Sequence, residues 1–291
     1  MKIKPVKLSL VVFLFLFLFS QAASSSNQCI WEGVRRIVAV GDVHGDYDQF
    51  VAILLEAQLI DSDMNWIGGK THLVQTGDVL DRGPDSRAVM DLIISLEEQA
   101  PIDGGYVHFL LGNHEIMLMK TDLRYVHPGE ILSYGGLKEM VRALRPDGYY
   151  GSWLTEHNTA IRINNALFTH AGISAEYSNF LIVDINNAVR DEISRNWEEP
   201  SGVLSSMGPV WFRGLANDRG SNIERVLEEA LETNNADYIV IGHTVNIGGI
   251  TSRFSGRVVL IDTGMSECYG GMAQYLELDH FGYKPHTVLT D

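Results

Sequence analysis

Six short apolar runs in this sequence each end in a glycine-marked cluster of polar residues, and that repetition constrains the fold more than any other feature. The clusters are Gly41-Asp42-Val43-His44-Gly45, Gly77-Asp78-Val79-Leu80-Asp81-Arg82-Gly83, Gly112-Asn113-His114-Glu115, Thr169-His170-Ala171-Gly172, Gly242-His243-Thr244 and Asp262-Thr263-Gly264. The preceding runs, Ile37–Val40, His72–Gln75, Tyr106–Leu111, Ala166–Thr169, Tyr238–Ile241 and Val258–Ile261, have the length and burial pattern of inner strands, and Gln274–Leu278 adds another. Amphipathic stretches follow several of them. Tyr47–Leu59 places Phe50, Ile53, Leu54 and Ala57 on one face. A helix opened by Pro84-Asp85 runs to about Gln99, and Glu115–Met119 begins another. Strand, loop and helix in repetition predict an α/β fold with a largely buried, mixed sheet.

Two stretches interrupt the repetition. Residues 121–165 carry a helical piece at Gly136–Leu144 among Gly, Pro and aromatics. Residues 174–235 carry helices at Val183–Trp197 and Ile223–Leu231, separated by a Pro-, Gly- and Ser-rich loop. Neither has enough elements for its own core, so both are expected as insertions in a single domain spanning 30–291.

The N-terminal end reads as an address. Lys2, Lys4 and Lys7 precede an apolar run, Leu10–Phe19, and then Ser20-Gln21-Ala22-Ala23 and a serine run. That order is a secretory signal peptide over residues 1–23, with an uncleaved anchor as the alternative, although the run is short for a bilayer span. The mature chain is expected to be secreted or periplasmic, without stable membrane insertion. Cys29 and Cys268 are then free to pair or to remain thiols. The whole chain carries 22 Lys and Arg against 37 Asp and Glu, a net charge of −15. Such a chain is repelled by phosphate backbones, which excludes non-specific nucleic-acid binding.

Strand ends are where open α/β sheets bind ligands. Gathering several carboxylates and imidazoles there without a counter-charge is costly, and metal ions remove the cost. Asp42 and His44 alternate along an extended loop and so serve one ion; Asp78 is able to bridge two; Asn113, His170 and His243 complete the second. Mixed oxygen and nitrogen donors without thiolate suit Mn, Fe or Zn. A di-metal centre activates water and clamps phosphoryl oxygens. His114 beside Asn113 is placed to donate a proton, with Asp81 as the carboxylate that orients it. Arg82 offers a planar fork for phosphate.

The ordered set GDVHG, GDVLDRGP, GNHE, THAGI and GHT, spanning Ile37 to Gly264, resembles the metallophosphoesterases of the PPP phosphoprotein-phosphatase family, and most closely its Shewanella-like branch. The resemblance implies a calcineurin-like β-sandwich flanked by helices (αββα) with the di-metal site at the strand C-terminal ends. It implies one ion on Asp42, His44 and Asp78 and the other on Asp78, Asn113, His170 and His243. It makes His114 the general acid, Asp81 its orienter and Arg82 a phosphate ligand. Leu111 stands where eukaryotic members carry Arg, and Met265–Gly271 replaces their SAPNYC-type segment, which favours the Shewanella-like branch. A second phosphate-binding arginine is expected between His170 and His243. Arg213, flanked by aromatics, is preferred there to Arg219.

The resulting expectation is a phosphoric monoester hydrolase acting on phosphorylated protein or peptide, at Ser/Thr or at Tyr. The alternatives are a dinucleoside polyphosphate or other small-molecule phosphoester hydrolase, and, more remotely, a metal-binding protein without catalysis.

Overall fold

A computed structural model describes residues 28–195 and 202–289. The signal-peptide reading of residues 1–23 lies outside them. Among the described residues, no helix is long and apolar enough to cross a membrane.

Eleven strands form two sheets among the described residues. In chain order the strands are β1 (Ile30–Trp31), β2 (Ile37–Val40), β3 (His72–Gln75), β4 (Tyr106–Phe109), β5 (Ala160–Ile163), β6 (Ala166–Thr169), β7 (Tyr238–Ile241), β8 (Thr251–Arg253), β9 (Val258–Leu260), β10 (Gln274–Asp279) and β11 (Gly282–Thr287). One sheet has the order β1-β5-β6-β7-β9-β8 and the other β11-β10-β2-β3-β4. The helices are α1 (Tyr47–Glu56), α2 (Ser86–Gln99), α3 (Asn113–Met119), α4 (Pro128–Ser133), α5 (Leu137–Leu144), α6 (Tyr149–Thr155), α7 (Ile182–Arg195), α8 (Gly214–Asn217) and α9 (Ser221–Thr233). Buried faces of both sheets and of α1, α2, α7 and α9 share one apolar core. The αββα sandwich expected from the motifs is the observed architecture.

Register explains why the polar clusters meet. β2, β3 and β4 are parallel, with Val40 opposite Gln75 and Gln75 opposite Phe109. Their carboxyl ends are level, so residues 41–45, 77–83 and 112–115 emerge side by side. In the other sheet β6, β7 and β9 are parallel, with Thr169 opposite Ile241 and Ile241 opposite Leu260. Residues 170–172, 242–244 and 262–264 therefore emerge together as well. Packing the sheets over one core brings the two sets of loops face to face. The stretch 121–165 holds more order than expected: α4, α5 and α6 lie within it, and β5 is a member of the larger sheet, antiparallel to β6.

Away from the strand ends, β3 and β4 place His72 and His108 in contact, with their ring nitrogens 2.9 Å apart beneath Trp31 and Tyr106. Burial pushes His72 down to about 4 and holds His108 well below the usual histidine value. Both are therefore neutral when folded, whereas in the unfolded chain they charge near pH 6.5. The folded state binds fewer protons in that window, so stability is lost as pH falls from about 6.5 towards 4. At pH 5 the His72 share of the loss is expected to be about 2 kcal/mol. Urea unfolding at pH 7 and pH 5 checks this: His72→Gln should show the smaller drop, and equal drops would contradict it.

Candidate active site

Asp78 is the centre of the facing loops. Its Oδ2 lies 3.9 Å from His44 Nε2, 3.8 Å from His114 Nε2 and 3.3 Å from His170 Nε2. Two triads with metal-ligand spacing result, His44–Asp78–His114 and Asp78–His170–His243, and all five residues are buried. Asn113 joins the second, its Oδ1 lying 3.0 Å from His170 Nε2.

The second ring nitrogen separates the histidines by role. His44 Nδ1–H donates to Leu80 O (2.8 Å), His170 Nδ1–H to Thr76 O (2.9 Å) and His243 Nε2–H to Trp211 O (3.1 Å). A backbone carbonyl that takes one N–H leaves the other nitrogen as a lone pair, which is how metal-binding imidazoles are fixed. His114 alone of the four turns its Nδ1 to a carboxylate, Asp81 Oδ2, at 2.6 Å. That partner favours imidazolium. Burial opposes the charge, but Asp78 and Asp81 outweigh it, and the net shift of His114 is upward.

The free nitrogens of His170 and His243 face each other at 3.1 Å. Burial, and then His170, push His243 down to about 2, so it brings a lone pair and no proton. Burial opposes a proton on His170, but Asp78 outweighs it and raises its pKa, so without a metal a proton on His170 Nε2 is what Asp78 and His243 Nδ1 share. A metal ion takes the place of that proton among the same donors and the Asn113 amide oxygen. The donor chemistry therefore fits metal ions.

Asp42 ties the two sets of loops together. Both of its oxygens accept the His243 backbone N–H, at 3.0 and 3.1 Å, so it also clamps the loop from the opposite sheet. Burial raises its pKa, and the neighbouring carboxylates Asp262 and Asp78 raise it further. An unneutralised set of this kind is the expense that bound cations offset.

The loops are held in costly conformations. His44, Asp78, Asp81, Arg82 and His243 all adopt left-handed backbone angles, with φ between 48° and 71°. Non-glycine residues rarely do so unless the surroundings fix them, and such strain concentrates at functional sites. Glycine is required beside two of the turns: a Cβ on Gly112 would run into Asp78 Oδ1, and one on Gly242 into Asp42 Oδ1. Glu115, in the predicted cluster but given no role by sequence, is the scaffold of the Asp78 turn. Its carboxylate accepts the N–H groups of Gly112 (2.8 Å), Asp78 (2.9 Å) and Val79 (2.9 Å). The reciprocal glutamate of a capping box was the available signal for it.

Arg82 lies at the rim, its guanidinium 3.8 Å above the Tyr125 ring and 5.8 Å from that of Tyr269. The same rings approach His114 (5.3 Å) and His44 (5.6 Å). Neither tyrosine was singled out by sequence, since neither belongs to a strand-end cluster. Arg213 reaches the site and donates to His243 O (2.7 Å) and Thr244 Oγ1 (3.2 Å). Its side chain is exposed, so these bonds position it rather than the desolvation by flanking aromatics expected from sequence. The charge of Arg219 is felt at Arg253, whose pKa burial lowers first. Cys29 is buried, Cys268 is exposed, and both are free thiols.

A paired imidazole–carboxylate centre at the strand ends of a two-sheet sandwich is the arrangement of a metal-dependent phosphoesterase, and residues 35–246 match the family model described as calcineurin-like phosphoesterase. The chain belongs to that family, on its protein-phosphatase side. It is 32% identical to Shewanella-like protein phosphatase 1 of Plasmodium berghei, over 90% of this chain and 76% of that protein. It is 29% identical to Shewanella-like protein phosphatase 2 of Arabidopsis thaliana, over 89% of this chain and 79% of that protein. The crystal structure of a cold-active protein-tyrosine phosphatase from a psychrophilic Shewanella species superposes with a TM-score of 0.77 at 29% identity, covering 92% of this chain and 85% of that one.

Proposed function

We propose that this phosphoesterase hydrolyses phosphomonoesters on proteins or peptides and prefers phosphotyrosine. The observation that carries the preference is the pair of tyrosines, Tyr125 and Tyr269, flanking Arg82 and the histidines His44 and His114. A flat leaving group gains ring contacts there that a serine side chain cannot make. The similarity to a structure described as a protein-tyrosine phosphatase supports the same reading.

In this proposal Asp42, His44 and Asp78 would hold one ion and Asp78, Asn113, His170 and His243 the other, with Mn, Fe or Zn as the candidates. Bound there, such ions supply Lewis acidity and lower the pKa of water near phosphorus. Arg82 and Arg213 grip the non-bridging phosphoryl oxygens. Water adds to phosphorus as the bond to the ester oxygen breaks, and the proton it loses passes to solvent, from which His114 is recharged for the next turnover. The proton on His114 Nε2 passes to the departing oxygen, while Asp81 holds Nδ1 and stabilises the charged ring. Phosphate and the free hydroxyl are the products.

A panel of phosphotyrosyl and phosphothreonyl peptides and a dinucleoside tetraphosphate, assayed on metal-analysed protein, tests the assignment. The phosphotyrosyl peptide should have the highest kcat/KM. Tyr125→Ala should lower that value about tenfold more than it lowers the threonyl peptide's, as expected for loss of about 1.4 kcal/mol of ring contact, since the Arg82 contact it also loses serves both substrates. Equal losses on both peptides, or preference for the dinucleotide, would refute it.

A further inference from the structure

A second cleft lies on the side of the molecule formed by β4, β1, the C-terminal half of α2 and the end of α6. It encloses about 570 Å³, a volume within the range of small-ligand sites. Its walls include Trp31, Tyr106, Phe109 and Trp153, and its polar groups include Glu97 and His157. None of these belongs to the phosphoesterase centre.

The rings form two packed groups. Trp31 lies 5.3 Å from Tyr106, centroid to centroid, and Phe109 stacks on Trp153 at 5.0 Å. Glu97 is held by the indole of Trp153, whose Nε1–H donates to Oε2 at 2.9 Å. The other carboxylate oxygen lies 3.7 Å from His157 Nε2, and that nitrogen has no hydrogen-bond partner. Burial, followed by the charge of Arg190, pushes His157 down to about 3, so its ring is neutral and supplies no counter-charge. Arg190 itself donates to Asn158 Oδ1 at 2.6 Å. Among the described residues, no Lys or Arg lies within ion-pair distance of Glu97.

Glu97 is held by one of the four aromatic side chains that line the cleft and, among the described residues, has no cation of its own. Burial pushes it up to about 7, so above that pH it is an anion lacking a counter-charge. An anion is repelled by Glu97 and by Glu156 at the edge. A metal ion needs three or more converging donors, and although His157 approaches Glu97, among the described residues no third His, Cys, Asp or Glu joins them at metal-ligand spacing. A weakly hydrated organic cation satisfies both elements: its charge meets the carboxylate, and its alkyl groups and positive field meet the ring faces.

We propose that this cleft binds a small organic cation, an ammonium seated on Glu97 with its alkyl groups against Trp31, Tyr106, Phe109 and Trp153.

The test is titration of the full chain at about pH 8, where Glu97 is ionised, with tetramethylammonium and with choline, each against sodium chloride at matched ionic strength. Calorimetry and tryptophan fluorescence are read together, because two of the five tryptophans line the cleft. Saturable binding is expected for both organic cations and not for sodium. Glu97→Gln keeps an acceptor for the Trp153 N–H, so it should fold and turn over an aryl phosphate as the wild type does. Its affinity should fall about tenfold, the usual scale for loss of one partly buried charge contact. Trp31→Ala should also weaken binding while leaving turnover intact. Absence of any saturable response beyond that to sodium overturns the proposal, as does equal affinity in the wild type and Glu97→Gln. A wild type that binds no cation, together with a Glu97→Gln protein that only melts lower, would assign Glu97 to anchoring α6 and likewise overturn it.

Discussion

Asp78→Asn should abolish phosphate-ester hydrolysis and lower metal content at both positions, whereas Asp42→Asn should deplete chiefly one. Asp78 Oδ2 is the atom approached by His44, His114 and His170, and its Oδ1 accepts the His114 backbone N–H at 2.9 Å. Burial opposes its ionisation, yet the surrounding imidazoles hold it well below the usual carboxylate range, so it is an anion at the junction of both ligand sets. Replacing it by a neutral amide removes the shared negative charge and leaves His170 and His243 facing each other without it. Asp42 lies to one side, and its amide isostere can still accept the His243 N–H. Expected losses in kcat/KM are on the order of 1,000-fold or more for Asp78→Asn and about tenfold less than that for Asp42→Asn, the scale set by removing preorganised charge from a reaction centre. Elemental analysis and kinetics on the same preparations decide it. Two ions at full occupancy in Asp78→Asn would refute the bridging role.

His114→Asn should leave metal content unchanged and slow the chemical step. The ring is the one whose Nδ1 rests on a carboxylate, and the contrast with the carbonyl-anchored histidines is what assigns it to proton transfer. General acid catalysis contributes about 100- to 10,000-fold. The loss should approach the upper end for an alkyl phosphate, whose leaving oxygen requires the proton, and the lower end for nitrophenyl phosphate, which departs with little help. Asp81→Asn should give a weaker form of the same pattern, because the amide still orients the ring but no longer supports its charge. Loss of metal from His114→Asn, or equal slowing of both esters, would show that the residue belongs to the ligand set.

The parts of this account legible in the sequence are those with a local signature. Strands β2, β3, β4, β6, β7, β9 and β10 announce themselves as short apolar runs, and the site residues follow most of them at glycine-marked turns. Strand ends differ by a residue or two, as at β4, which stops at Phe109. Of the four missed strands, three carry little such signal: β1 is two residues long, β8 is the polar Thr-Ser-Arg, and β11 is an exposed edge containing Pro285. These three exist because a neighbour offers them hydrogen bonds, not because their own side chains demand it. The fourth, β5, is a buried Ala-Ile-Arg-Ile run inside the stretch read as an insertion. The same holds at the site. Asp42, Asp78 and His114 are visible as motif residues, whereas the clamp between Asp42 and the His243 backbone spans 201 residues of chain and depends on two sheets meeting. Tyr125 and Tyr269 reach Arg82 from unrelated loops, and no periodicity connects them.

The most direct test of the central claim is metal removal and return on one preparation. Prolonged chelation, with depletion verified by elemental analysis, should eliminate hydrolysis of an aryl phosphate, and added Mn²⁺ should restore it as two ions per chain are regained. Full activity in protein shown to be metal-free would contradict the account.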